Sequence, residues 1–188
     1  NAIGDPDKRP PIFDYAWKAP QPNDVGTEEL LTLCDLLGVE PYLCVNSGFG
    51  DARSAADQVE YVNGDASTPM GRLRAANGRR EPYRVKYWNV GNEMYGPWQL
   101  GHMALAHYTI KHNMFAKAMR KADPGIIIIA AGAMPDETMI TRTGIAIDPD
   151  TRKVVGGVQT QFGSETDWTG GLLKDSWGAF DILQEHGY

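Results

Sequence analysis

The chain has 188 residues, 18 basic and 24 acidic, for a formal charge of −6. That length holds one domain with a sizeable core, and the acidic balance argues against nucleic acid as a partner. No apolar run approaches the roughly 18 residues needed to span a bilayer, so no membrane partner is expected.

Two cysteines, Cys34 and Cys44, make neither a disulfide framework nor a four-ligand zinc site. Both are expected as buried free thiols, one on a helix and one on a strand, which slightly favours the cytoplasm over export. The chain begins with Asn1 rather than Met, so a missing leader says little about compartment.

In chain order, residues 1–26 are rich in proline and lack periodicity, which predicts irregular loop. Thr27 is expected to cap a helix with Glu28 and Glu29 in its first turn. Its apolar stripe would be Leu30, Leu33, Leu36 and Leu37, with Gly38 as the stop. Residues 41–46 form a short continuous apolar run, the pattern of a strand buried on both faces. A second helix is predicted over 52–62. Residues 64–82 are polar and aperiodic, and the basic stretch from Arg72 to Arg84 reads as solvated surface loop. A strand follows at 85–90, then a Gly-rich loop and a long helix over about 100–121. Leu100, Ala104, Tyr108, Lys111, Phe115 and Ala118 mark one side of that helix, the lysine being its one blemish. Asp123-Pro-Gly125 ends it. Further buried strands are expected at 126–131 and 180–186. Between them, 134–177 reads as a long insert whose 156–162 portion alternates like a hairpin strand.

Alternating helices and strands predict an α/β fold, a parallel sheet with helices outside. Two closures compete, an open doubly wound sheet and a TIM-type (β/α) barrel. The first needs a Gly-rich fingerprint between strand and helix. The loop at 91–96 has glycines at the wrong spacing and a carboxylate, Glu93, at the strand end, where barrels keep catalytic groups. The expectation is therefore a barrel. Because a full barrel takes about 250 residues, residues 1–188 would supply only its middle, about strands 3 to 6.

The chemistry concentrates in residues 87–102. A carboxylic acid at the mouth of a buried strand is partly desolvated, which suits a proton donor. Beside it, the Asn92 amide can bond a substrate hydroxyl without adding charge, and Trp98 offers an apolar face to a sugar ring. Asn46, at another strand end, serves either as a turn former or as part of the pocket rim. His102, His107 and His112 recur every five residues rather than at the i, i+4 spacing of a helical metal pair, so no metal site is expected.

The run Gly91-Asn-Glu-Met-Tyr-Gly-Pro-Trp-Gln-Leu-Gly-His102 resembles the acid/base motif of glycoside hydrolase family 51, the α-L-arabinofuranosidases. In that family Asn-Glu ends the fourth barrel strand. The similarity extends to 4–10, Trp17, Asn23 and 26–30, to 42–46 and 126–132, and to the terminal Glu185-His-Gly-Tyr188. It is weakest over 141–175. Gln21 and Val25 depart from the family's Glu and Phe.

The resemblance implies a retaining glycosidase with Glu93 as general acid/base, releasing terminal α-L-arabinofuranosyl groups from arabinan or arabinoxylan. It implies no cofactor. His186 and Tyr188 would face the sugar, and the nucleophilic Glu would lie on a seventh strand beyond residue 188. Expected partners are an arabinose-containing oligosaccharide or polysaccharide and the rest of the barrel, with a homo-oligomer left open. Two alternatives stand beside this reading. One is another retaining barrel glycosidase, a β-xylosidase or endo-glucanase, and the other is a non-catalytic truncated barrel.

Overall fold

The computed structural model describes residues 2–133, 150–151 and 167–186. The predicted hairpin at 156–162 and Tyr188 lie outside the described residues.

The N-terminal stretch is more ordered than its composition implies. A single 3-10 turn, Pro6–Lys8, leads into a small antiparallel hairpin of β1 (Ile12–Asp14) and β2 (Ala19–Gln21). The Asp14 carboxylate closes the turn by accepting from the backbone N–H groups of Ala16 and Trp17. Arg9 clamps this segment to the body. Its guanidinium is buried, pairs with Glu28 and Glu29, and donates to the carbonyls of Gly4 and Asn23. That pairing holds the Glu29 carboxyl down to about 2.

Helix α1 (Thr27–Leu37) starts one residue earlier than expected. Gly26 rather than Thr27 is the cap, and its N–H donates to Glu29 at 2.7 Å. A side chain at Gly26 would strike the Ala2 carbonyl, so close packing selects glycine there. The predicted leucine stripe is a correction: Leu31 is the buried residue of this helix, whereas Leu30, Leu33, Leu36 and Leu37 are exposed. Leu31 alone of this helix is buried in the core cluster that holds Leu43, Val45 and Trp88.

β3 (Tyr42–Val45) is followed by α2 (Ala52–Asn63), capped by Asp51 accepting from Ser54 N–H. The supposed surface loop after it contains α3 (Pro69–Ala76), whose start is set by the Thr68 cap and proline in the first turn. Arg74 in that helix is fully buried, not solvated, and donates to the carbonyls of Tyr61, Arg79 and Arg80. β4 (Tyr87–Val90) precedes α4 (Leu105–Ala122), which begins five residues later than predicted because 100–104 complete the loop. β5 (Ile127–Ala131), α5 (Trp168–Ser176) and β6 (Ile182–Gln184) follow, so the predicted insert ends in a helix that preserves the alternation.

The sheet has the order β3-β4-β5-β6, all parallel, as the alternation predicts. It does not close on itself among the described residues. Register puts Leu43, Trp88 and Ile128 in one row and Val45, Val90 and Ala130 in another, all buried in the two cores beneath the helices. The alternate positions, including Tyr42, Cys44, Asn89 and Gln184, project from the opposite face. Cys44 is thereby exposed and Cys34 half-buried, which corrects the expectation of two buried thiols. Tyr108 of α4 stitches the strand ends: its hydroxyl donates to Val90 O and accepts from Ala131 N–H, each at 2.8 Å.

Candidate active site

Every βα connection of a parallel sheet leaves from the same edge, so the residues after β3, β4 and β6 gather there. Asn46 follows β3, Asn92 and Glu93 follow β4, and His186 follows β6.

Glu93 is the centre of this edge. Its backbone adopts the left-handed region, φ 48°, two residues after Gly91 at φ 82°. A non-glycine residue held there is uncommon and is retained when its surroundings dictate its direction. The reversal turns the side chain back over the strand end, where 9% of the residue remains exposed. Glu93 Oε2 accepts from the Trp98 indole N–H at 2.6 Å and, more distantly, from Gln99 Nε2 at 3.4 Å. Oε1 lies 2.9 Å from His186 Nδ1. Trp98 and Gln99 donors on one oxygen and the His186 ring on the other thus hold the carboxyl group from two sides.

The remaining expected residues fall on the same edge in different ways. Asn92 and Asn46 are exposed and line one shallow cleft with Ser47, Met94 and Gln99. The Asn46 carbonyl oxygen also accepts from Phe49 N–H, so it forms its loop's turn as well as the cleft wall. Trp98 packs over Gly96, meets Tyr95 edge-on at 5.9 Å, and is 37% exposed. Lys111, the blemish on the helix stripe, reaches the carbonyls of Gly48 and Gly50 and fixes the loop that carries Asn46. Of the three histidines along this segment, His112 is fully buried while His102 and His107 are exposed.

Sequence reasoning missed the polar residues on the open sheet face. Gln184 Oε1 accepts from Tyr42 at 3.0 Å and from Asn89 at 2.7 Å, and its Nε2 lies 2.8 Å from His186 Nε2. A signal existed in Asn89, an amide inside an otherwise apolar strand. Burial pushes the Tyr42 hydroxyl up to about 12 and the Cys44 thiol up to about 11, so both stay protonated. Although Cys44 has open surface, the sheet around its sulfur desolvates the thiolate. Glu185 turns away from the cleft, 2.6 Å from the Thr169 hydroxyl, and its carboxyl is raised by burial.

Comparison with known proteins places this arrangement. Residues 1–165 match the family model of the α-L-arabinofuranosidase 1 domain. The chain is 43% identical over 132 residues to α-L-arabinofuranosidase C of Emericella nidulans, covering 70% of this chain and 26% of that protein. It is 38% identical over 133 residues to an intracellular exo-α-(1→5)-L-arabinofuranosidase of Bifidobacterium longum, covering 71% and 24%. Among solved structures, a family 51 α-L-arabinofuranosidase from Bifidobacterium longum superposes with a TM-score of 0.81 at 32% identity, over 100% of this chain and 32% of that one. An arabinose complex of the Thermotoga maritima α-L-arabinofuranosidase gives 0.68 at 42% identity, over 70% and 27%. The chain therefore spans about a quarter to a third of the length of these relatives. With a matching model over most of its length and these neighbours, the chain belongs to the α-L-arabinofuranosidases of glycoside hydrolase family 51.

Proposed function

We propose that these residues form the acid/base half of a retaining α-L-arabinofuranosidase, which releases terminal arabinofuranosyl groups from arabinan or arabinoxylan. The observation that carries this reading is Glu93 itself: a buried carboxyl at a strand end, in a left-handed backbone conformation, with the Trp98 indole N–H on one oxygen and the His186 ring against the other. The four strands correspond to strands 3 to 6 of a (β/α) barrel, and the nucleophilic carboxylate belongs to its seventh strand.

In the first step the nucleophile attacks the anomeric carbon while Glu93 gives its proton to the departing glycosidic oxygen. In the second, Glu93 takes a proton from water, which attacks the same carbon and frees the nucleophile. The substrate lies along the cleft, with the Asn92 amide against a sugar hydroxyl, the Asn46 loop at the rim and the exposed part of Trp98 against the sugar's carbon face. His186 lies against Glu93, its Nδ1 2.9 Å from Oε1.

The test is Glu93→Ala in the intact protein, assayed on aryl α-L-arabinofuranosides of graded leaving-group pKa. Loss of the acid slows poor leaving groups by about 10²–10⁴-fold and good ones far less. Equal slowing across the series would refute the assignment. Arabinofuranosides outpacing β-xylosides and β-glucans with wild-type protein separates this reading from the other barrel glycosidases.

A further inference from the structure

We propose that Gln184 is a positioning residue that locks His186 as its neutral Nδ1–H tautomer, so that the imidazole bonds Glu93 and cannot take its proton. The proposal deepens, and rests on, the reading of Glu93 as acid/base.

The argument starts at a group whose polarity is fixed. Gly91 O is a backbone carbonyl and can only accept, so the Asn89 side-chain atom 2.7 Å from it is the amide nitrogen. The second hydrogen of that nitrogen points to Gln184, 2.7 Å away, which makes the Gln184 atom facing it the oxygen. The Tyr42 hydroxyl, 3.0 Å from the same oxygen, adds a second donor. Flipping Gln184 would set donor against donor at Asn89, and flipping Asn89 would set acceptor against acceptor at Gly91 O.

Gln184 must then present its NH₂ group to His186. That group only donates, and it lies 2.8 Å from His186 Nε2. Nε2 is therefore bare, and the ring's one proton sits on Nδ1, 2.9 Å from Glu93 Oε1. To become imidazolium, His186 would have to place a hydrogen on Nε2 directly against the Gln184 N–H. Rotating the Gln184 amide out of the way would set it against Asn89 instead.

The consequence is chemical. An unrestrained imidazole, with a pKa of about 6.5, outcompetes a carboxylate of about 4.3 for a shared proton. Beside an imidazolium, Glu93 would stay ionised and have nothing to give the leaving group. With Nδ1 already protonated and Nε2 blocked, the proton gained from water in one cycle stays on Glu93 for the next. Among the described residues, the titratable groups near this relay are Tyr42, bonded to Gln184, Cys44 beside Tyr42, and Glu185 next to His186, itself close to Asp167. Tyr42 and Cys44 remain neutral, and Glu185 is turned to Thr169.

The test uses the intact protein with ¹⁵N-labelled histidine, reading His186 by long-range ¹H–¹⁵N correlation. Wild type should show a protonated Nδ1 and a bare Nε2 throughout the active pH range. Gln184→Glu reverses the lock by offering an acceptor to Nε2–H. It should produce the imidazolium and move the alkaline limb of kcat/KM down by about one pH unit or more. Turnover of poor leaving groups should fall at least about tenfold, and that of activated aryl arabinosides less. Gln184→Met, which keeps volume and removes the donor, should show both tautomers and a smaller shift. A wild-type ring carrying Nε2–H, or Gln184→Glu with an unchanged limb, would overturn the proposal. If that variant does not fold, an unchanged single tautomer in Gln184→Met does so. The wild-type tautomer is read without turnover, so failure of the acid/base reading in the Glu93→Ala series is separable from failure of the lock.

Discussion

Glu93 and His186 stand 93 positions apart in the chain, yet Glu93 Oε1 and His186 Nδ1 are 2.9 Å from each other. The contact exists because β4 and β6 flank β5 in a parallel sheet, which delivers both strand ends to one edge. Trp98 approaches the same carboxyl group from the other oxygen, along a loop folded back by Gly91. The carboxyl group is thus oriented from both sides by the Trp98 indole N–H and the His186 ring, and a fixed donor such as the indole acts most strongly when it need not move during reaction.

Trp98 serves two purposes that a substitution can separate. Trp98→Phe keeps an aromatic face over Gly96 and removes the indole N–H that donates to Glu93 Oε2 at 2.6 Å. The expected result is about a tenfold loss of kcat/KM, or roughly 1.4 kcal/mol, on substrates with poor leaving groups. Thermal stability should change little, since the ring is over one third exposed. Loss of KM alone, with kcat intact, would mean that the ring and not the N–H is what matters.

Arg74 is the structural counterpart. Its guanidinium is fully buried and satisfies three carbonyls that bind the α2 end to the 79–80 turn. Arg74→Met should destabilise the intact protein by about 2–4 kcal/mol, because each orphaned buried acceptor is costly. Arg74→Lys should recover only part of that, as one ammonium cannot span the fork. Urea midpoints of the three proteins give the comparison. Indistinguishable midpoints would show that water replaces the side chain.

The strands were legible as short apolar runs, and 41–46, 85–90, 126–131 and 180–186 pair in that order, but the expected burial on both faces fails at β3 and β6, where Tyr42, Cys44 and Ile182 are exposed. Glu93 and Asn92 stood out because a polar residue ending such a run lands at the sheet edge, whereas His186 was singled out through the family resemblance alone. Helix α3 was hidden by its arginines, although Thr68-Pro69 carried the start signal. The leucines of α1 misled because periodicity reports an apolar face, not what covers it. Gln184 could not be found at all. Its role depends on Tyr42 and Asn89, 142 and 95 positions away, and only the register aligns them.

His112 provides a pH prediction independent of turnover. It is fully buried between Tyr108 and Phe180, and burial lowers its pKa from 6.5 to about 4. Between those values the unfolded chain binds a proton that the folded protein refuses, so stability falls as pH drops from about 6.5 towards 4 and levels off below. The loss should be on the order of 3 kcal/mol. His112→Leu should flatten the dependence across that window when denaturation is followed at pH 7, 5.5 and 4.5. An unaltered slope would place the titrating group elsewhere.

The role of Glu93 can also be read from product stereochemistry. In Glu93→Ala an activated aryl arabinoside still glycosylates the enzyme, because its leaving group needs little protonation. The second step lacks its base, so the β-linked glycosyl-enzyme accumulates. Azide needs no deprotonation and fits the space left by the carboxylate. Entering from the acid/base side, opposite the enzyme ester, it must give the α-azide and restore turnover. Were Glu93 the nucleophile instead, its removal would open the other face, azide would displace the aryl group directly, and the β-azide would form. The anomer, assigned by NMR of the isolated product, therefore distinguishes proton transfer from covalent catalysis at this residue.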